Sequence, residues 1–135
     1  MLFRSRQAIL KKALTEAEAA GLAAARRILR ALDVQAAFYE ADAEPNRRLV
    51  REWLRAGGPL LAEASNGGAL LAAVIEDGRA KGEIRADVNE ADAGALIGDA
   101  FFGALYRWAA SSEREVSLRQ SVKRTVTLVL RAIVA

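Results

Sequence analysis

The chain has 135 residues, 53% of them apolar, with 20 Lys+Arg against 17 Asp+Glu and a net charge of +3, figures expected of one domain spanning residues 1–135. It contains no histidine and no cysteine, which excludes Ser-His and Cys-His nucleophiles, thiolate zinc sites, His-ligated di-iron centres and disulfides. The longest uncharged run, Ala64 to Ile75, is 12 residues, short of the roughly 20 that span a bilayer, so no membrane partner is expected and the cytoplasm is the default location.

About 30 of the residues are alanine and β-branched residues are sparse before the last stretch, so helix propensity dominates and the expected fold class is all-α, a bundle of about six or seven helices. Ser5 is placed to cap a first helix that carries Ile9, Leu10 and Leu14 and ends near Gly21. Arg4, Arg6, Lys11 and Lys12 fall in this start with no acid among them, either as a solvated helix face or as the edge of a phosphate-contacting surface. A second helix carries Ile28, Leu29, Leu32, Ala36 and Tyr39, with Phe38 off that stripe. Pro45 is suited to the first position of a third helix, whose stripe of Leu49, Val50, Trp53 and Leu54 stops at Gly57-Gly58. Pro59 opens a short turn closed by Ser65-Asn66-Gly67-Gly68. Leu70, Leu71, Val74 and Ile75 define the next helix, stopping around Lys81-Gly82, and Glu83 to Val88 read as a connecting loop. Asn89 caps a helix reaching Ala110, and Ser112-Glu113-Arg114-Glu115 has the form of a capping box ahead of the last helix.

The last two helices are the most informative. From Asn89 to Ala110 apolar residues lie almost all round, with Gly94, Gly98, Phe101, Leu105 and Trp108 on one side. In the last helix Leu118, Val122, Thr125, Val129 and Ala132 recur at spacings of four and three, and Val126, Leu130, Ile133 and Val134 widen the stripe. One domain of this size offers few layers to cover both. A homodimer is therefore expected in which two helices from each subunit form a four-helix bundle, through Gly98, Leu105, Trp108, Leu118, Val122, Thr125, Val126, Val129 and Ile133. The other reading is that these residues are the core of one subunit.

Glycine inside a helix costs roughly 1 kcal/mol relative to alanine, so Gly94, Gly98 and Gly103 need a reason. Close helix approach is one; space for a bound molecule beside Phe101, Phe102 and Tyr106 is another. Asp99 in the same helix could orient a ligand or pair with Lys123 or Arg124. Glu76 and Asp77 read as the polar end of a helix, with no nucleophile beside them, so no catalytic residues and no enzyme activity are expected.

Phe3-Arg4-Ser5-Arg6-Gln7-Ala8-Ile9-Leu10 resembles the F-x-S-K-x-x-L-L segment at which TetR-family transcriptional regulators pass from the DNA-binding module into the regulatory domain. Ile75 to Asp87, with Gly78, Gly82, Glu83, Ile84 and Arg85, is similar to the family's i-x-x-G-x-x-x-G-e-l-r-x-d helix end. Ala91 to Trp108 and Leu118 to Val134 resemble its penultimate and final helices. The resemblance implies an effector-binding and dimerisation domain, usually of a repressor, whose ligand alters the spacing of two helix-turn-helix modules. That module lies upstream of the serine in the family and is not among these residues, so operator DNA is expected as a partner only through a segment absent here. The alternative is a stand-alone helical dimer serving as an interaction or ligand-carrier module.

The expected effector is a small hydrophobic or amphipathic molecule, and no cofactor or metal is expected. Candidate lining residues are Phe38, Trp53, Leu54, Leu71, Val74, Asp99, Phe101, Phe102, Gly103 and Tyr106, large side chains aimed at one interior beside glycines that withhold volume.

Overall fold

Alanine-rich stretches punctuated by glycine become six α-helices among the described residues, which in this computed structural model are 2–57, 67–111 and 116–135, with side chains from Arg6 onward. They are α1 (Leu2–Ala19), α2 (Ala24–Ala41), α3 (Ala43–Ala56), α4 (Gly67–Ala80), α5 (Glu90–Ala110) and α6 (Leu118–Ile133). Gly21, Gly57 and Gly82 follow three helix ends at φ of 74°, 76° and 77°, the left-handed conformation in which a side chain would be strained.

Several boundaries differ from the sequence expectation. Ser5 lies inside α1, which already runs from Leu2. Pro45 is the third residue of α3, a first-turn position where the missing N–H would have had no helical partner. Gly67 and Gly68 belong to α4 instead of closing a turn, while Pro59, Ser65 and Asn66 lie outside the described residues. Ser112 to Glu115 also lie outside them, and α6 is capped by Ser117, whose side chain accepts from the Gln120 N–H. Asn89 does cap α5, its Oδ1 accepting from Asp92 N at 2.9 Å.

The amphipathic stripe of α2 places Ile28, Leu32, Ala36 and Tyr39 in the core, and α2 packs against α1, α3, α4 and α6. The closest helix contact is between α4 and α5. A Cβ on Gly94 would come within 2.6 Å of the Gly68 carbonyl oxygen and 2.9 Å of the Ala72 nitrogen, so only glycine permits that backbone approach. Leu118, Val122, Val126, Leu130 and Ile133, at spacings of four, four, four and three, form the buried inner face of α6.

The 83–88 segment does more than connect. Ile84 is 2% exposed and forms an isolated antiparallel bridge with Val134; Arg85 N donates to Ile133 O at 2.9 Å, and Ala135 N donates to Glu83 O at 3.1 Å. Glu83 Oε1 accepts from Ala24 N at 3.0 Å, supplying the N-terminus of α2 with the acceptor that Ala23 lacks. Glu40 does the same for α6, accepting from Arg119 N at 2.9 Å. No helix among the described residues is long and apolar enough to cross a membrane.

Candidate functional site

Arg6 is read from the sequence as part of a basic helix start, yet in the folded chain it is only 4% exposed. Its guanidinium carbon lies 4.7 Å from the ring centroid of Tyr39, 5.0 Å from that of Trp53 and 5.5 Å from that of Phe38. Nη2 donates to Asn46 Oδ1 at 3.1 Å, and Asn46 Nδ2 donates in turn to the Tyr39 carbonyl at 3.1 Å, tying α3 to both α1 and α2. Cation–π attraction strengthens when the cation is desolvated, reaching about 2 kcal/mol per ring, which offsets part of the cost of burying the charge. Tyr39 also meets Trp53 edge-on at 6.5 Å and Phe101 at 6.3 Å. Burial pushes its phenol above the ordinary tyrosine range against the opposing pull of Arg6.

Beside this cluster lies a cavity of about 30 Å³ bordered by α1, α2, α3, α4 and α5. α1 gives Arg6, Gln7 and Leu10, α2 gives Leu32, Gln35 and Tyr39, and α3 gives Trp53. Gly67, Gly68 and Leu71 of α4 and Gly98, Phe101 and Phe102 of α5 close it. The volume suits about one or two water molecules, so a larger guest must move part of the wall. Gln35 is only 8% exposed, and its amide has no hydrogen bond to another described residue.

Of the residues expected around a ligand, the cavity gathers Trp53, Leu71, Phe101 and Phe102. Phe38 stands at its edge against Arg6, and Tyr106 stacks on Phe102 at 5.9 Å, one ring further out. Val74 is core, Leu54 is 43% exposed, and Asp99 is exposed without an ion pair to another described residue, lying in a groove with Ala91 and Ala95. Gly103 is not in the wall; a Cβ there would meet only the Arg107 guanidinium, at 3.3 Å. Gly98, assigned from the sequence to a subunit seam, is in the wall, and a Cβ on it would meet nothing within 4 Å. Sequence reading missed Arg6 and Gln35 because a polar residue at a helix start and one in mid-helix carry no local sign of the rings that will cover them.

Among the residues expected at the seam, Leu105, Trp108, Leu118, Val122, Val126 and Ile133 are already covered within the chain. Trp108 lies under the buried Arg47, whose guanidinium carbon is 4.7 Å from its ring and whose Nη1 donates to Ser111 O at 3.0 Å. Thr125 and Val129 keep part of their surface. At 100° per residue the outward stripe of α5 is Leu96, Ala100, Gly103 and Arg107, and that of α6 is Ser121, Thr125, Leu128 and Ala132. Leu96 is 53% and Leu128 67% exposed, so these two packed helices present a shallow face of small and apolar residues, with Arg107 on it and Lys123, Arg124 and Arg131 around Leu128. Comparison with protein-family models, with curated proteins and with solved structures finds no match to this chain.

Proposed function

We propose that these residues form the effector-binding and dimerisation domain of a TetR-like transcriptional regulator, acting as a repressor in the cytoplasm through a helix-turn-helix that the 135 residues do not include. The observation that carries this reading is the double use of α5. Its Gly98, Phe101 and Phe102 wall the cavity, while its Leu96, Ala100 and Gly103 join Leu128 of α6 in an uncovered face. That division fits a sensor whose pocket and subunit contact share one helix, and it agrees with the motif resemblance at Phe3–Leu10 and Ile75–Asp87. α1 supplies three cavity residues, so a guest in the cavity acts directly on the helix nearest an upstream module.

The isologous contact places the α5 and α6 face against its symmetry mate and buries at least about 1,200 Å² in total. Sedimentation of the chain at micromolar concentration is expected to give a dimer, and Leu128→Glu a helical monomer, because the new charge would be trapped in the contact. A monomeric parent chain removes the dimer from the proposal. A dimer with no stabilising ligand, in which an added helix-turn-helix confers no operator binding, favours the interaction-module alternative.

A further inference from the structure

We infer that charge selects how the second copy docks: α5 of each protomer lies on α6 of its partner, Leu96 against Leu128, with Asp92 and Asp99 of one chain beside Arg124 and Arg131 of the other. This deepens the dimer proposed above and rests on it. Leu96 and Leu128 are the two most exposed large apolar side chains among the described residues. Each has the same surround with opposite sign. Asp92 and Asp99 stand four residues before and three after Leu96, while Arg124 and Arg131 stand four before and three after Leu128, offsets that bring side chains onto one helix face. All four charged residues are exposed, and none has an ion pair with another described residue, so the single chain leaves these charges to solvent. Arg124, Leu128 and Arg131 also border a shallow hollow of about 410 Å³, ample for one leucine side chain.

The alternative, each helix on its own copy, sets like charges together. α6 contains no acidic residue, so α6 on α6 would bring Arg124 and Arg131 against themselves, and α5 on α5 would do the same with Asp92 and Asp99. Crossing the pairs removes both conflicts. The fold permits the crossing. α5 and α6 are antiparallel neighbours, since residues 111–117 join them at one end and Ile133 O, at the other end of α6, accepts from Arg85 N just ahead of α5. A two-fold axis running along the helices therefore lays α5 over α6 of the partner, antiparallel to it, and repeats the contact on the other side. Asp99 lines the groove against α4, and Arg124 and Arg131 share their hollow with Lys123, which borders α2. In both helices the charges thus lie away from the seam between α5 and α6, which puts the leucines inside the contact and the ion pairs at its rim. Arg107 stands roughly 16 Å beyond Leu96 along α5 and takes no part.

The test is charge reversal read by sedimentation equilibrium of the full chain. Asp92→Lys with Asp99→Lys should weaken the dimer at least about tenfold, because symmetry turns every attractive pair into a repulsive one twice over. Arg124→Glu with Arg131→Glu should do the same. All four substitutions in one chain should restore dimerisation to within about threefold of the parent, and an equal mixture of the two double variants should form heterodimers at a concentration where neither forms a homodimer. Circular dichroism checks the helices. Asp92 lies in the first turn of α5, where a cation opposes the helix dipole, so if its variant loses helix the comparison is made with Asp99→Lys, alone and combined with Arg124→Glu and Arg131→Glu. A parent dimer that neither reversal weakens overturns the crossed pairing, since like helices on like would carry these repulsions already, and leaves the dimer reading standing. Weakening that the combined variant does not rescue overturns it as well. A monomeric parent chain overturns the dimer reading itself.

Discussion

Gly94 and Gly98 lie one turn apart on α5, and one added methyl group should act on them in opposite directions. At Gly94 the Cβ would strike backbone, the Gly68 oxygen at 2.6 Å, which cannot give without moving α4. Gly94→Ala should therefore lower stability by about 1–3 kcal/mol, read as a drop in the denaturant midpoint. At Gly98 nothing lies within 4 Å, so alanine brings its helix propensity unopposed and Gly98→Ala should add up to about 1 kcal/mol. Charge gives a second residue-level expectation. The Arg119 guanidinium, donating twice to Asp33 at 2.9 and 2.8 Å, holds that carboxyl below the ordinary range; Lys81 and then Arg27 do the same for Asp77. A carboxyl with a depressed folded value binds fewer protons folded than unfolded. Its stabilisation is fully present above the ordinary carboxylate range and is lost as pH falls through that range toward the folded values. With no histidine or cysteine to titrate, side chains leave stability nearly flat between roughly pH 6 and 9. Urea midpoints across pH should show that plateau and an acid decline that Arg119→Met makes shallower.

Helix ends in this chain are secured in two ways, and only one is visible in the sequence. Asn89 caps α5 from within its own segment, so Asn89→Ala should cost about 1 kcal/mol, measurable by thermal or chemical unfolding. The signal for that cap is local, as are the glycines that end α1, α3 and α4, and the order and type of the helices were accordingly legible. The cap of α6 was placed too early, on Ser112 instead of Ser117, because both serines precede helix-forming residues. Glu40 and Glu83 cap helices from far along the chain, and nothing near either glutamate in sequence marks that role. The broad apolar stripe of α6 misled for a related reason. Spacings of three and four fit both the inner line through Val122 and Val126 and the outer line through Thr125 and Leu128, and only the position of α5 and α2 separates them. The cavity was half legible. Its rings announce themselves as large apolar residues, whereas Arg6 and Gln35 acquire their meaning from helices brought alongside.

For the molecule as a whole, a net charge of +3 supports only loose attraction to phosphates. The 135 residues should bind DNA weakly and without sequence preference, and a gel-shift series in rising salt should show the complex fading well before physiological strength because counterion release drives it. Sequence-selective retention at physiological salt would contradict that. The clasp between the end of α6 and the 83–88 segment reaches further than its few hydrogen bonds suggest. Ala135 N donates to the Glu83 carbonyl, Arg85 N to that of Ile133, and the Glu83 carboxylate accepts from the first amide of α2, so hydrogen bonds link three stretches of chain that are distant in sequence. In hydrogen-exchange terms the Ala24 amide, at a helix end where rapid exchange is the rule, should be protected for as long as the C-terminal residues stay docked. Removing Val134 and Ala135 should release it, so that trimming one end of the chain is felt as an exchange rate more than a hundred residues away.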